Sequence, residues 1–408
     1  MKLLFIRNLN PFFESSASAN RYAGIIDGLL NCGVKIDLLI TGGYCNKREK
    51  RLYGIQKFNK NLQVKYLIHT YNHNIWLRRI NTYLLSGLYQ FIINMQTKKY
   101  FKSDYDYVWL GSETKILNSL LVNQSFLKGK SILELNEYND LHEGHITSGN
   151  FLQHKKDYKE NQVFLQTLKI TDLLVVMTKT LIAHFKPLAK SSATILHLLM
   201  TVDINRFSKP KESCTRLKSP YIAYTGTFNN QKDGVDILIH AFAKIANKFP
   251  EYTLYLAGFY HYDVVMQKEL INRYNLIDRI LYLNQLNNTE VVAFLQNAQL
   301  LVMARPDTRQ ARGGFPTKLG EYLASGNPVC VTRVGEIPDY LIDNESVFFA
   351  NPGDINSFAD AMQRALIDTK HAKRVGVNGQ VIAQTVFNSE VQVQRLYDFL
   401  KHNISSPT

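Results

Sequence analysis

The sequence predicts an α/β protein with two doubly wound, Rossmann-like domains in tandem. In each half of the chain, short apolar runs alternate with helical patterns, which is typical of a parallel sheet covered on both faces. A polar and charged segment at 205–219 separates the two series and indicates a linker. A third feature, the glycine- and proline-containing run at 312–340, suggests where the chemistry lies. With 408 residues, the chain is long enough for both domains.

The first series predicts an N-terminal domain over residues 1–204. A helix is expected at about 20–31, after the first strand. The strands are expected at 2–6, 33–40, 107–110, 131–135, 173–177 and 194–198.

The second series predicts another domain of the same class over residues 220–385. Its strands are expected at 221–225, 253–257, 280–283, 300–304, 329–332 and 347–350. A final helix is expected at about 390–402, within a C-terminal segment, 386–408. Sheets of this class bind ligands at the carboxyl ends of their strands, which predicts a ligand in the cleft between the two domains.

The run at 312–340 has the pattern of an anion site followed by a polar contact. Gly313 and Gly314 let the backbone approach a ligand closely. Pro316 suits the first turn of a helix, where unpaired amides and the helix dipole favour a phosphate. Glu321 lies four residues after Thr317, on the same helix face and one turn deeper. The spacing therefore predicts a phosphate cradle with a carboxylate at the position of a ribose.

This run resembles the sugar-nucleotide site of retaining glycosyltransferases with the GT-B fold, in the large group 1 family (family 4 type). The family pattern is a glycine-rich loop, a helix with a glutamate, then small-Gly-x-Pro-Val and Val-Gly-Gly-x-Pro-Glu. The matching residues here are Gly314-Phe315-Pro316, Glu321, Ser325-Gly326-Asn327-Pro328-Val329 and Val334-Gly335-Glu336-Ile337-Pro338-Asp339. The resemblance implies two domains facing a cleft, with a C-terminal helix that crosses back to the first.

A second block, residues 224–242, resembles the first strand and helix of the family's donor domain. Lys232 corresponds to the lysine that meets the donor diphosphate, and Thr227 stands where the family often has an arginine. Lys318 or Arg312 are the possible substitutes for that missing charge. A weaker third block is residues 196–207. The donor-binding residues implied are Gly226, Thr227, Lys232, Arg312, Gly313, Gly314, Phe315, Pro316, Thr317, Lys318 and Glu321.

The catalytic residues implied by the resemblance are Lys232, Asn136 and Glu137. The family's sugar-contacting glutamate would fall at Gly313, so that carboxylate is absent, and Asn136 and Glu137 stand near the family's histidine. Glu137 either orients the acceptor hydroxyl or the sugar, or it is a structural carboxylate.

On the acceptor side, the first loop contains the predicted contacts Ser15, Ser16 and Arg21, the last as a contact for an anion. No metal or other cofactor is expected, since Lys232, Lys318 and a helix N-terminus supply positive charge. Asp104-Tyr-Asp106 has the spacing of a metal-binding pair, yet it lies at the approach to a strand.

The positive charge is concentrated in the first half of the chain. Residues 1–200 hold 26 lysines and arginines against 14 acidic residues, and residues 51–102 hold nine against none. Within 72–102, an apolar helical pattern flanked by Arg78-Arg79 and Lys98-Lys99 predicts peripheral contact with an anionic membrane. The alternative is a core-facing helix with a solvated basic rim. The charge is also compatible with nucleic acid, but no recognition module accompanies it, so no nucleic-acid partner is expected.

The sequence predicts a cytoplasmic protein, because its cysteines are scattered and it has neither a signal-peptide pattern nor an 18-residue apolar run. With the predicted membrane contact, this places it at the inner face of the membrane. We therefore expect a retaining transferase that moves a sugar from a UDP or GDP donor to a hydroxyl of a glycan or lipid-linked glycan. Surface polysaccharide, capsule or lipopolysaccharide biosynthesis is the expected process. The alternatives are a sugar-nucleotide epimerase on the same fold and a non-catalytic binder of nucleotide sugars or glycans. A hydride-transfer enzyme is disfavoured, because no GxGxxG follows the first strand.

Overall fold

The computed structural model describes residues 1–14, 16–53, 60–69, 85–139, 151–208 and 217–404. The chain forms two compact units, one of Met1–Leu199 with Val393–Thr408 and one of Met200–Gln392. The sequence-based limits at 204 and 385 lie a few residues from these boundaries and stay predictions of the domain organisation.

The first unit contains a seven-stranded sheet in the order β3-β2-β1-β4-β5-β6-β7, and every neighbouring pair is parallel. The strands are β1 (Lys2–Arg7), β2 (Lys35–Ile40), β3 (Leu62–Tyr66), β4 (Tyr107–Leu110), β5 (Lys130–Leu135), β6 (Leu173–Val176) and β7 (Thr194–His197). Six of them confirm the predicted strands to within two residues. The sequence interpretation missed β3, a short edge strand that alternates buried and more exposed residues inside the basic block.

Helices cover both faces of this sheet. They are α1 (Ala17–Asn31), α2 (Lys47–Tyr53), α3 (Ser86–Phe101), α4 (Thr114–Asn123), α5 (Phe151–Leu168) and α6 (Lys179–Phe185). Helix α1 begins three residues before the predicted start. The reason is Ser16, whose Oγ accepts the Ala19 amide at 3.1 Å and caps the first turn.

The second unit contains a six-stranded parallel sheet in the order β10-β9-β8-β11-β12-β13. The strands are β8 (Tyr221–Thr227), β9 (Thr253–Phe259), β10 (Ile280–Leu283), β11 (Leu300–Met303), β12 (Val329–Thr332) and β13 (Phe348–Ala350). All six confirm the predictions to within two residues, because each is a short apolar run, although the edge strand β10 is only partly buried.

The remaining helices belong to the second unit, except that the last one also enters the first. They are α7 (Asn230–Asp233), α8 (Val235–Ile245), α9 (Val264–Arg273), α10 (Asn288–Asn297), α11 (Arg309–Gly313), α12 (Thr317–Ala324), α13 (Ile337–Tyr340), α14 (Ile355–Ile367), α15 (Thr369–Thr385) and α16 (Ser389–Ile404). From α16, Val393, Leu396 and Leu400 are buried in the core of the first unit. Among the described helices, none is both long and apolar enough to cross a bilayer.

The start of the predicted linker is structured. Residues Ile204–Phe207 form a 3₁₀ turn. Phe207 is buried, and its carbonyl accepts a hydrogen bond from the side-chain amide of Gln296 at 3.0 Å. The segment up to residue 208 is therefore part of the second unit, and the rest of the predicted linker, 209–216, lies outside the described residues. The mainly polar composition predicted a linker from residue 205, but burial of the single aromatic residue Phe207 holds this segment to the second unit.

The strand order places the candidate site. In the second sheet the chain moves outward from β8 in one direction and from β11 in the other. The loops that follow these two strands therefore lie side by side at the carboxyl edge of the sheet, where such folds bind ligands. The run at 312–340 begins shortly after β11, so the fold brings it next to the end of β8.

Candidate functional site

Gly226, at the end of β8, makes room for a charged side chain. Its φ is +146°, and a Cβ at this position would meet the Lys318 ammonium and, at 2.7 Å, the Tyr224 hydroxyl. Gly258, its partner on β9, has φ +145°, and a Cβ there would collide with the carbonyl of Gly226. A side chain at Gly226 would displace Lys318, and one at Gly258 would displace the backbone of Gly226, so both positions require glycine.

Lys318 is the central cation of the site. Its Nζ donates to Asp233 Oδ1 at 2.9 Å and to the Tyr224 hydroxyl at 3.2 Å. Burial lowers the pKa of Lys318, while the Asp233 carboxylate opposes that shift. The side chains are 20% and 9% exposed, so the pair is shielded but open enough for a ligand to approach. Lys318 thus stands beside the loop where Thr227 replaces the family's arginine.

Two further cations lie near Lys318. Lys232 is exposed in α7, and both Lys232 and Arg305 lower the pKa of Lys318 through like-charge repulsion. The sequence interpretation missed Arg305, which lies two residues after the end of β11. A basic residue at the carboxyl end of a buried strand is the signal that could have identified it. Together these groups form a site that favours an anion.

Helix α12 adds unpaired amides. Pro316 is its N-cap residue and, in the described structure, makes no side-chain cap. The Leu319 amide donates to the Pro316 carbonyl at 3.1 Å, so the amides of Thr317 and Lys318 are the ones available to a ligand, as expected for a phosphate site. The Tyr322 hydroxyl accepts the Thr225 amide at 2.7 Å and fixes α12 to β8. Gly326, with φ +75°, ends the helix region as predicted.

Glu321 lies one turn further along α12 and is paired with a residue that sequence reasoning did not select. Arg206 Nη1 donates to Glu321 Oε1 at 2.5 Å, and Nη2 donates to the Asn288 carbonyl at 3.2 Å. The signal was present, because Arg206 belongs to the third block of resemblance, 196–207. The structure leaves the ribose assignment of Glu321 as a prediction.

The glycine-rich run is more ordered than the sequence suggests. Residues Arg309–Gly313 form a short helix capped by Thr308, and the Gly314 amide donates to the Gln310 carbonyl at 3.1 Å. The Gly314 amide is therefore engaged within the protein, contrary to the predicted contact with sugar or phosphate. Phe315 is also structural, since its ring packs 5.2 Å from that of Phe387.

Arg312 has a partner of its own. Its guanidinium makes a two-point contact with Asp307, at 2.6 and 2.8 Å, and that hydrogen bonding lowers the pKa of the carboxyl. Of the two substitutes considered for the missing arginine, the geometry therefore favours Lys318 over Arg312.

The predicted anion contact of Arg21 does not fit the geometry. The Arg21 side chain is 2% exposed, and its Nε lies 2.6 Å from Glu134 Oε1, a carboxylate with no exposure. The guanidinium also donates to the carbonyls of Leu199 and Leu198, at 2.6 and 3.1 Å. Arg21 is a structural residue that compensates a buried carboxylate.

The remaining residues predicted in the first unit are the acceptor-side Ser15 and Ser16 and the catalytic Asn136 and Glu137. Ser16 caps α1, and Ser15 lies outside the described residues. Asn136 is half-buried, with an Oδ1 that has no hydrogen-bond partner among the described residues, and Glu137 is exposed. The roles of Asn136 and Glu137 stay predictions.

The described residues contain no group of three or more His, Cys, Asp or Glu side chains that could hold a metal ion. The Asp104-Tyr-Asp106 segment has other partners. Asp104 pairs with Lys128 at 2.8 Å, and Asp106 accepts the Lys2 amide at 2.7 Å.

Two parallel sheets of this kind are also present in solved structures with the GT-B fold. The structure resembles a sucrose-phosphate synthase from Thermosynechococcus elongatus, with a TM-score of 0.76, 15% identity and 100% of both chains covered. It also resembles Anabaena HepE in complex with UDP, with a TM-score of 0.68, 15% identity and coverage of 98% of this chain and 100% of the other. These likenesses confirm the predicted fold class.

The sequence comparisons give matches for parts of the chain. Residues 205–381 match the family model described as "Glycosyl transferases group 1". The chain is 23% identical over 243 residues to N-acetyl-alpha-D-glucosaminyl L-malate synthase of Bacillus anthracis, covering 57% of this chain and 61% of that protein. The chain thus spans about three fifths of the length of that relative. Both matches agree with the predicted enzyme class, glycosyltransferase.

Proposed function

We propose that this chain is a retaining glycosyltransferase of the family 4 type that uses a UDP or GDP sugar as donor and a hydroxyl of a glycan or lipid-linked glycan as acceptor. The observation that supports it best is the convergence of Lys318, Lys232 and the uncapped start of α12 beside Gly226. Transfer of a sugar builds negative charge on the departing diphosphate. Fixed cations and amides aimed at that charge are the main means of stabilising it.

Each residue of the site then has a role. Lys318 and Lys232 contact the diphosphate, Gly226 and Thr227 let the β8 loop approach it, and Glu321 accepts hydrogen bonds from the ribose. These cations supply the positive charge that a metal provides elsewhere, so the proposed reaction requires no metal ion. Asn136 and Glu137 of the first unit remain proposed catalytic residues.

The direct test is turnover of donor in the absence of acceptor. The protein would be incubated with UDP-glucose, UDP-N-acetylglucosamine and GDP-mannose, with ADP-glucose as control, and the released nucleoside diphosphate measured. We expect slow hydrolysis of one UDP or GDP sugar and none of ADP-glucose. Nucleotide binding without any turnover would instead support the non-catalytic binder, and an epimerised sugar among the products would favour the epimerase.

We also propose peripheral contact with an anionic membrane through α3, which would bring the enzyme to a lipid-linked acceptor at the inner face of the cell membrane. The helix buries Ile93 and Phe101 against its own unit. On its other side Leu88, Phe91 and Met95 are 54%, 60% and 57% exposed. The spacing of these three places them on one face.

The same face of α3 carries positive charge. Lys98, Lys99 and Lys102 follow the apolar residues at helical spacing, and all three are exposed. Apolar side chains followed by lysines suit insertion into the interface of an anionic bilayer. Residues 72–84 of the predicted membrane segment lie outside the described residues. A surface polysaccharide as product is part of this proposal.

Replacing Phe91 and Met95 together with glutamine should weaken binding to phosphatidylglycerol-containing vesicles by about tenfold or more. The reason is that burial of each such side chain contributes about 1.5–3 kcal/mol. Vesicle co-sedimentation measures this. The matched control is glutamine at Val265 and Met266, which are equally prominent, 66% exposed each, on α9 of the second unit. Equal binding by both double variants would contradict the assignment of α3.

A further inference from the structure

We propose that Arg206 is a positioning residue that sets the Glu321 carboxylate for recognition of the donor ribose. This inference rests on the proposed function, since it concerns the same nucleotide site. It adds a residue that neither the motif nor the comparisons assign. Arg206 acts through Glu321, and no contact between Arg206 and the donor is required.

The first support is the geometry of the pair. One nitrogen of the guanidinium holds Glu321 Oε1 at 2.5 Å, and another holds the Asn288 carbonyl at 3.2 Å. Glu321 Oε2 has no hydrogen-bond partner in the described part of the chain. One carboxylate oxygen is thus fixed by the protein while the other is left to accept hydroxyls, which is the arrangement that a ribose contact requires.

Arg206 is itself held from both ends of its turn. Asp203 caps the 3₁₀ turn by accepting the Asn205 amide at 3.0 Å. On the other side Phe207 is buried, and its carbonyl accepts Gln296 at 3.0 Å. The fixed backbone defines where the Arg206 side chain starts, and its planar guanidinium loses less entropy per hydrogen bond formed than a lysine would.

Helix α12 is equally fixed, so the pair does not depend on helix movement. Tyr322 ties the helix to β8, as described above. Gly320 lies against the segment before the 3₁₀ turn, where a Cβ would come within 3.1 Å of Val202 and closer still to Met200. The turn and the helix therefore pack directly on one another, which sets the distance between Arg206 and Glu321.

The charge of Arg206 has a second consequence. Glu321 lies on the same helix as Lys318, one turn from the proposed diphosphate position. A lone carboxylate there would repel the dianionic ligand, and the side chains of the pair are only 24% and 23% exposed, so water screens them incompletely. Arg206 neutralises that charge while leaving the acceptor oxygen in place.

The test is calorimetric binding of UDP and GDP, each compared with its 2′,3′-dideoxy analogue. The variants are Arg206→Met, Arg206→Lys, Glu321→Gln and the double Arg206→Met with Glu321→Gln. Arg374→Met, which removes an exposed positive charge from α15 of the same unit, is the control.

We expect Arg206→Met to weaken binding of the ribonucleotide about tenfold, as found for residues that orient a ligand-binding group. The dideoxy analogue should lose less affinity than the ribonucleotide, because only repulsion of its diphosphate by the unpaired Glu321 carboxylate remains, so discrimination between the two ligands falls. Arg206→Lys should restore only part of the affinity, because lysine lacks the planar fork. In the Glu321→Gln background, loss of Arg206 should have little further effect.

Two results would overturn the inference. If UDP or GDP binds the wild type but Arg206→Met has less than about a twofold effect, or if its effect adds fully to that of Glu321→Gln, Arg206 does not act through Glu321. The proposed function would stand in that case. If neither nucleotide binds the wild type, both the proposed function and this inference fail.

Discussion

Replacing Lys318 with methionine should lower the rate of sugar transfer about 100- to 1000-fold, the usual cost of removing one preorganised donor from a site of developing negative charge. The loss should appear in kcat, because the charge on the departing diphosphate grows toward the transition state. Donor turnover at saturating nucleotide sugar measures it. A rate within about threefold of the wild type would contradict the assignment of Lys318.

Lys318→Met also leaves the Asp233 carboxylate without its partner, which could impair folding. The double variant Lys318→Met with Asp233→Asn removes both charges and serves as the control, since it should recover stability without recovering activity. Asp233→Asn alone gives a further check. Asp233 raises the pKa of Lys318 against the lowering effect of burial, so its loss should lower that pKa. Activity should then fall at a lower alkaline pH than in the wild type.

Replacing Arg21 with methionine should lower the free energy of unfolding by about 3–5 kcal/mol, the cost of leaving one partner of a buried ion pair uncompensated. Arg21 and Glu134 are 2% and 0% exposed, so solvent cannot replace the lost contact. Urea unfolding monitored by tryptophan fluorescence is suitable, because Trp109 is buried in the first unit.

The double variant Arg21→Met with Glu134→Leu is the matched control and should recover most of the lost stability, since it removes the unpaired charge. A change below about 1 kcal/mol in the free energy of unfolding of Arg21→Met would contradict this structural role and favour the predicted contact with an anion. We also expect the folded Arg21→Met protein to bind nucleotide with the same affinity as the wild type.

The sheets could be predicted from the sequence because nearly all their strands are short apolar runs that alternate with helical patterns. The exception, β3, is an edge strand whose alternation of Leu62, Val64 and Tyr66 with polar residues lies within a strongly basic block. Local composition obscured it. In the same way, the polar neighbours of Phe207 made its segment look like a linker, although Phe207 is buried and anchors the segment to the second unit.

The local backbone of the candidate site was predictable from the sequence, whereas its long-range side-chain pairs were not. Glycines and a proline at the right spacing gave the start and end of α12. The partners Arg206 and Glu321, 115 positions apart, meet only because the 3₁₀ turn packs on α12. Arg21 was misassigned for the same reason, since the buried Glu134 that it compensates lies 113 positions away.

The central claim is that the carboxyl edge of the second sheet binds a nucleoside diphosphate through Lys318. Titration calorimetry of UDP, GDP and ADP into the wild type and Lys318→Met tests it most directly. We predict that UDP or GDP binds the wild type, that ADP does not compete with it, and that Lys318→Met weakens binding by about tenfold or more. Absence of binding by both UDP and GDP, or equal affinity in the two proteins, would contradict the claim.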